Sequence, residues 1–380
     1  MIDYKSINER ITDRSQSWCW QTDRRISLDE VRAIWSDRHS GITDAELLEA
    51  VNRELKKGKL VSIKPLNKDA QESLGFVNSV RVGVLENGKQ VIIRCHPKGI
   101  KNGYFYTESL VASKAKALGL PAYGTLAIHD LSGDNDVAFQ VIEKIEGVAL
   151  KKWLEARPED TQKLSYETGK SMAKLHKIRV EGFGSFDNEE AKKGRLVGVH
   201  KKFSGFVRGS LENNLASLVQ YGTVTAAQAS KINSLFSADN PLLQCEQAVV
   251  VHNDFVDWNL LTNGQEINGV LDFDECVAAD PICDIASWSS MSPLSRLDSF
   301  LGGYFGNQPR PENFDDKLKL ISFRWVISNM SLRNSRLEYI PDDKHLQTLV
   351  ADGKQQMAFY MNHFGVSKSQ GESNQSPVKS

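Results

Sequence analysis

The chain has 380 residues, 40% of them apolar and 25% charged, with a net charge of −1, the proportions of an ordinary globular protein large enough to divide into lobes. That charge leaves no basic footprint, so nucleic acid is excluded as a main partner, and no apolar run approaches the roughly 20 residues that span a bilayer. The polar N-terminus lacks the apolar centre of a signal peptide, and Cys19, Cys95, Cys245, Cys276 and Cys283 are scattered with no CxxC spacing, which predicts reduced thiols in a cytoplasmic protein.

In chain order, residues 1–59 read as a helical extension. Ser27-Leu28-Asp29-Glu30 and Thr43-Asp44-Ala45-Glu46 both have the form in which hydroxyl and carboxylate satisfy orphan amides at a helix start. The second opens a helix with Leu47, Leu48, Val51 and Leu55 on one face, stopped at Gly58. Two short helices invite a helix-turn-helix interpretation, but nothing basic and base-reading follows, so they are expected to pack on the lobe behind. Strands come next. Leu60 to Leu66 alternates, Gly75 to Leu85 carries Val77, Val80, Val82 and Val84, and Asn87-Gly88 predicts a type I′ turn into Gln90 to Cys95. A helix is expected from Tyr106-Thr107-Glu108 to Leu118, ended by Gly119, and then a buried strand from Ala138 to Ile145 leading into Glu146-Gly147. From Val148 the pattern is helical, with a helix closing at Leu175-His176 and further amphipathic helices over 200–236 and 294–364. Ile321, Trp325 and Leu332 are predicted core residues there. The polar tail, 366–380, is expected to be disordered.

Residues 249–274, VVVHNDFVDWNLLTNGQEINGVLDFD, carry the chemistry. Phosphoryl transfer needs one carboxylate at the acceptor hydroxyl and separate oxygen ligands for magnesium on the nucleotide phosphates. The kinase pattern H-R-D-x-x-x-x-N followed by D-F-G is met in order by His252, Asp254, Asn259 and Asp272. Asn253 stands in place of Arg and Asp274 in place of Gly. Either half of the pattern alone is weak, and a solvated acidic hairpin could carry it. The two halves together, in order and flanked by apolar strands, point to a kinase.

The segment resembles the catalytic core of the aminoglycoside phosphotransferase and choline kinase superfamily. The family's D-P-x-x-D-[LI]-A run is present as Asp280-Pro281-Ile282-Cys283-Asp284-Ile285-Ala286, and Phe255 and Glu181-Gly182-Phe183-Gly184 are similar to the hygromycin B phosphotransferase branch. The likeness spans roughly residues 60 to 300. It implies an α+β, bilobal protein-kinase-like fold: a small antiparallel-sheet N-lobe over 60–147 that binds nucleotide, and a larger, mainly helical C-lobe over 148–365. The extension 1–59 is not required by the family core. Asp254 would accept or orient the proton of the acceptor hydroxyl, and Asn259 and Asp272 would hold one or two Mg2+ ions on ATP, with GTP an alternative. Arg94 stands where kinases place Lys and would contact the phosphates, tethered by Glu108; the bland alternative is a surface Arg and a helix-start Glu favoured by the dipole. Gly75 and Asn78 mark the phosphate-covering loop, a plain hairpin turn being the alternative. Glu143 and Ile145 lie in the interlobe linker whose backbone would meet the adenine edge. His252 and Asp284 would hold the loop by hydrogen bonds, and His176 would be a packing residue.

The acceptor is the least legible part. Asp257, Asp274, Glu275 and Asp280 could present an acidic wall to a polycationic aminoglycoside, although acidic residues gather around magnesium sites in any case. Choline, homoserine and sugar kinases share the scaffold. No A-P-E motif or activation loop follows Asp272, which argues against protein substrates. The partners expected are therefore nucleotide and a small hydroxyl-bearing molecule, in an antibiotic-resistance or metabolic role. A non-catalytic nucleotide-binding module is the alternative class, disfavoured by the intact Asp254, Asn259 and Asp272.

Overall fold

In the computed structural model, which describes residues 3–35, 41–66, 78–131, 133 and 136–366, the alternating segments build a five-stranded antiparallel sheet. Its strands are β1 (Leu60–Pro65), β2 (Ser79–Leu85), β3 (Gln90–Cys95), β4 (Thr125–His129) and β5 (Phe139–Glu143), in the order β1-β2-β3-β5-β4. Five strands replace the three expected over residues 60–95 together with the buried strand at 138–145; β4 was missed because its short, half-buried run lacks clean alternation. The register places Arg94 opposite Val80 on one side and Gln140 on the other. The β2–β3 turn also differs from expectation. Only Gly88 has positive φ (80°), and its N–H donates to Leu85 O at 2.8 Å while Leu85 N–H donates to Lys89 O at 2.9 Å. This is a three-residue loop with glycine in the left-handed position, whereas a type I′ turn would need Asn87 there as well.

Four helices precede or flank this sheet: α1 (Tyr4–Thr12), α2 (Trp20–Asp23), α3 (Leu28–Trp35) and α4 (Asp44–Glu54). Both sequence-predicted capping boxes form, at Ser27 with Glu30 and at Thr43 with Glu46. Leu47 and Val51 of α4 pack with Leu60, Val91, Ile93 and Val141, so α4 covers the sheet. The earlier helices form a separate small core of Ile7, Ile11, Trp20, Ile34 and Trp35 with Ile100. Helix α5 (Phe105–Ala117) carries Glu108 and turns its Val111, Ala112 and Ala115 into the main core.

The larger half contains α6 (Leu150–Ala156), α7 (Thr161–Leu175), α8 (Asn188–Lys192), α9 (Phe203–Val207), α10 (Leu211–Gln220), α11 (Ala226–Leu235), α12 (Ile282–Met291), α13 (Leu297–Phe305), α14 (Phe314–Tyr339) and α15 (Lys344–His363). Helices α7 and α13 touch backbone to backbone: a Cβ on Gly169 would lie 2.0 Å from Phe300 O, and one on Gly303 would lie 1.9 Å from Tyr166 O. Ile321 and Trp325 of α14 are buried as predicted, while Leu332 is only half-buried. Val366 is 2% exposed, so the chain is packed through the first residue of the expected tail; residues 367–380 lie outside the described residues. Two small sheets complete this half: β6 (Val148–Ala149) with β10 (Leu260–Thr262) and β11 (Ile267–Val270), and β8 (Gly198–His200), β7 (Phe183–Phe186), β12 (Val277–Ala279) and β9 (Val249–Val251). The architecture is α+β and bilobal, a small antiparallel sheet above a larger helical half. Among the described residues, no helix is long and apolar enough to cross a membrane.

Candidate active site

The fully buried strand β9 delivers the chain into the loop 252–259. Asp284, in the first turn of α12 and wholly buried, accepts the backbone N–H of His252 at 2.8 Å and of Asn253 at 2.7 Å. It also faces the His176 ring at 3.0 Å. Two amides aimed at one carboxylate fix the direction in which the chain leaves β9. Asn253 then takes a left-handed conformation, φ 66°, which Asn tolerates better than most residues. The turn tightens through Val256 N–H to Asp254 O at 3.0 Å and Asn259 N–H to Val256 O at 2.9 Å. It places Asn259 Nδ2 2.8 Å from Asp254 Oδ2 and 3.0 Å from Asp254 O.

The β10–β11 hairpin returns the chain to the same place. Leu271 N–H donates to Asn259 O at 2.9 Å, and His252 Nε2 donates to Leu271 O at 3.0 Å, a partner that requires the proton on Nε2. Burial lowers the pKa of His252, keeping this tie neutral and structural. Asp272 follows with φ 63° and a carboxylate 38% exposed. Sequence-predicted Asp254, Asn259 and Asp272 are thus brought together by one hairpin, with His252 and Asp284 behind them.

From the sheet, Arg94 reaches down to this hairpin. Its Nη1 meets Glu108, and its Nη2 lies 2.6 Å from Asp272 Oδ1. Glu108 also accepts the Tyr123 hydroxyl. Burial works against the charge of Arg94, but Glu108 and Asp272 outweigh it and hold the guanidinium above its ordinary pKa. The ion-pair interpretation of Arg94 and Glu108 therefore describes their geometry, since both side chains are at least nine-tenths buried. Asp254 is pushed up to about 8, first by burial and then by the neighbouring charges of Asp272 and Glu275, against the hydrogen bond from Asn259.

The acidic wall expected from Asp257, Asp274, Glu275 and Asp280 does not form. Asp257 is held by a two-pronged pair with Arg296, at 2.5 and 3.1 Å. Asp280 pairs with Lys317 at 2.5 Å and caps Ile282 N–H at 2.9 Å. Asp274 and Glu275 are buried in the 3-10 turn Phe273–Glu275, Asp274 beneath Arg94 at 4.0 Å and Glu275 against Trp20 and Gln21. Asp257 and Asp280 are paired with cations and Glu275 with two amides, whereas burial, then Asp272 and Glu275, hold Asp274 well above the usual carboxylate range despite Arg94. Arg296 and Lys317 lie in helical segments far along the chain, and nothing in the local pattern marks them as the partners.

The linker residues divide. Glu143 turns its carboxylate to the outer face, taking Gly124 N–H at 2.9 Å and Lys116 at 2.5 Å, and Lys116 lowers its pKa. Its own N–H is bonded to Gly124 O at 2.9 Å. Ile145 packs over β11, 3.0 Å from the position a Cβ on Gly269 would take, and Asn268 Nδ2 pins the linker at Glu146 O, 2.8 Å away. Asn78 is buried beside the Arg94 end of β2, its Oδ1 without a partner among the described residues. Gly75 lies outside the described residues. Sequence inspection missed Gln140, Tyr123, Arg14 and Trp20, all of which touch Arg94, Glu108 or the turn after Asp272.

Comparison with known proteins fits this geometry. The model of the phosphotransferase enzyme family matches residues 81–311, more than half of the chain. The chain belongs to the phosphotransferase enzyme family. The match includes every polar group of the hairpin site and excludes the N-terminal helices α1 to α4. No curated protein matches. Solved structures of the same fold include a thermostable mutant of aminoglycoside phosphotransferase APH(4)-Ia in ternary complex with AMP-PNP and hygromycin B, 16% identical, with TM-score 0.60 over 86% of this chain and 99% of the other. A protein described as a fructosamine-3-kinase from Thermobifida fusca YX-ER1 is 14% identical, with TM-score 0.57 over 84% and 99%. A choline/ethanolamine kinase family protein from Mesorhizobium loti is 14% identical, with TM-score 0.53 over 80% and 90%. At these identities the likeness establishes the fold, and the phosphotransferase family assignment rests on the matched sequence span.

Proposed function

We propose that this phosphotransferase moves the γ-phosphoryl group of ATP to a hydroxyl of a small, sugar-like molecule, with an aminoglycoside-type compound as the leading acceptor. The observation that carries the chemistry is the Asn259 amide bonded to Asp254 across a tight loop, with Asp272 returned to it by the β10–β11 hairpin. Because Asn259 Nδ2 is committed to Asp254, its amide oxygen turns the opposite way. That oxygen and the part-exposed carboxylate of Asp272 are the hard donors that suit Mg2+, which keeps several waters and substrate phosphates in its shell. Two protein oxygens are enough for such an ion. When bound, the ion would neutralise charge on the phosphate oxygens.

The side chains divide the remaining work. Asp254 orients the acceptor hydroxyl and takes its proton. Arg94, whose Nη2 is bonded to Asp272, would bring its positive charge to the nucleotide phosphates and is aimed by Glu108, which stays within its own buried pair. The backbone of the Glu143–Gly147 linker would meet the base, apart from Glu143 N–H and Glu146 O, which are already bonded to Gly124 O and Asn268 Nδ2. His252 and Asp284 keep the loop in place. For the acceptor, the ligands named with APH(4)-Ia and with an APH(2")-IIIa complex, hygromycin B and kanamycin, and the fructosamine kinase named among the neighbours, favour amino-sugar chemistry. Trp258, adjacent to Asn259 and 46% exposed, offers a ring face on which a sugar could lie. Asp257, Asp274, Glu275 and Asp280 are turned into the fold and leave polycation recognition to other groups.

The test is magnesium-dependent ADP release across a panel of aminoglycosides, simple amino sugars, choline and homoserine. Turnover is expected first with aminoglycosides or amino sugars. Turnover with choline or homoserine alone would replace the acceptor class, and nucleotide binding with no turnover on any acceptor would favour a non-catalytic module.

A further inference from the structure

The N-terminal segment lies outside the family match, yet it reaches the candidate active site from beneath. Arg14 O accepts the Ser185 hydroxyl of β7 at 2.9 Å, and Arg14 Nη1 donates to Asp274 O at 2.5 Å. Its guanidinium lies over the rings of Trp20, at 4.3 Å, and Tyr104, at 4.0 Å. Glu275 reaches back to the same segment and accepts Trp20 N–H at 3.0 Å and Gln21 N–H at 3.1 Å. Trp18, wholly buried, offers its carbonyl to Asn253 Nδ2 at 3.3 Å, one residue before Asp254.

The same segment also holds the approach to α5. Asn8 of α1 donates to Gly99 O at 2.9 Å and accepts Lys101 N–H at 2.8 Å. Tyr104, directly before α5, donates its hydroxyl to Cys276 O at 2.7 Å, and Trp20 Nε1 donates to Ile11 O at 2.7 Å. A ring of contacts therefore closes: α1 to the loop before α5, Glu108 of α5 to Arg94, Arg94 to Asp272, the turn after Asp272 to Arg14 and Trp20, and Trp20 back to α1. Within the turn, a single 3-10 helix over Phe273–Glu275, the C-terminal bond is Cys276 N–H to Phe273 O at 3.2 Å.

The geometry points to residues 8–21 as a positioning strap that fixes Asp272 relative to α5, with Arg14 and Glu275 as positioning residues for the phosphoryl transfer proposed above, on which this inference rests. Asp272 occupies a left-handed conformation, so the direction of its carboxylate is set by the backbone of the following turn, and distant partners hold that backbone. Groups behind a metal ligand orient it, and losing one typically weakens metal binding by about 10–100-fold.

The test compares wild type with E275Q, which keeps size but loses one of two acceptors, and with R14K, which keeps charge and most of the stem. Calorimetry with Mn2+ and AMP-PNP is read beside AMP-PNP alone, and amide exchange is followed at residues 272–276. E275Q is expected to weaken Mn2+-dependent binding by about tenfold or more and to speed exchange over 272–276. Metal-free AMP-PNP binding should not change, a split that a merely destabilised protein would not show. Should E275Q fail to fold, R14K decides, with the same directions expected and smaller size. Unchanged metal dependence and unchanged exchange in a folded variant would overturn the strap. A wild type that binds no Mn2+–AMP-PNP would instead remove the phosphotransfer reading, and the exchange comparison would still decide whether the strap holds the turn.

Discussion

The two loops that carry the candidate chemistry are held by different means. Loop 252–259 is braced mainly by its own short bonds and by Asp284 of α12, 25 residues further on, with one longer bond from Asn253 to Trp18 O. The turn 272–276 is braced from a distance, by Arg14, Trp20, Arg94 and Tyr104. The first loop takes most of its bracing from residues close in sequence, so the family pattern reads it directly. The second depends on parts of the chain that no local pattern connects to it. Preorganisation of an active site can thus sit in a short sequence stretch or be spread over a whole fold, and the two loops show both within one hairpin.

The sharpest break in the first loop is Asp254→Ala. If Asp254 takes or orients the acceptor proton, turnover should fall by about a hundredfold or more, while nucleotide binding persists because the remaining phosphate-facing groups are intact. Single-turnover rates and nucleotide titration on the same preparation check both parts. Turnover close to wild type would remove Asp254 from its role and leave the loop as scaffolding.

The pH profile tests whether the two loops share charge. Burial and the negative Asp272 and Glu275 push Asp254 up to about 8, so the protonated, inactive form gains as pH falls through that value and the base form gains as pH rises. Turnover should therefore drop on the acid side, by roughly tenfold per pH unit at the steepest. Raising Mg2+ should move this limb to lower pH, because a cation beside Asp272 replaces repulsion with attraction. A limb that does not move with Mg2+ would separate the two loops electrostatically.

Legibility follows the same division. Asp254, Asn259, Asp272 and His252 stand out as candidates because they sit in one ordered stretch between apolar strands, and Asp284 because of the Asp280–Ala286 run on α12. The Asn253 substitution even carried a signal, since Asn suits the left-handed backbone the loop requires. The acidic wall expected from the sequence does not form: a carboxylate near a site looks the same in sequence whether it faces solvent, a buried Arg296 or a half-buried Lys317. The capping boxes of α3 and α4 are legible in the sequence, yet the strap, which runs from α1 into α2, has no periodicity that points to its partners. Its role comes from where Arg14 and Trp20 meet residues more than 250 positions away.

Asp284→Asn asks how far the first loop is self-supporting. The amide keeps one acceptor and turns a donor toward one of the two buried N–H groups of His252 and Asn253. Leaving one such amide unpaired costs about 1–3 kcal/mol, read as a lower urea midpoint at constant slope. Exchange should quicken at 252–254 before it does at 272–276 if the loops are braced separately. Simultaneous loosening of both would merge them into one cooperative unit.

Gly88→Ala is the smallest change, placed away from both loops. Gly88 has φ 80° with open space around its Cα, so a Cβ meets no neighbour within 4 Å and only the backbone objects. The left-handed conformation costs a residue with Cβ about 1–2 kcal/mol, at the lower end here because an exposed turn can relax. Stability should fall by about that amount while turnover stays at wild-type level, since the hairpin tip contributes no group to Asp254, Asp272 or Arg94. Asn87 sharpens the point: its side chain accepts Lys89 N–H at 3.0 Å, and its backbone is not left-handed. Asn87→Gly should therefore lower stability slightly, through lost turn bonding and a freer unfolded chain. A type I′ turn would predict a gain instead, because both of its central residues need positive φ.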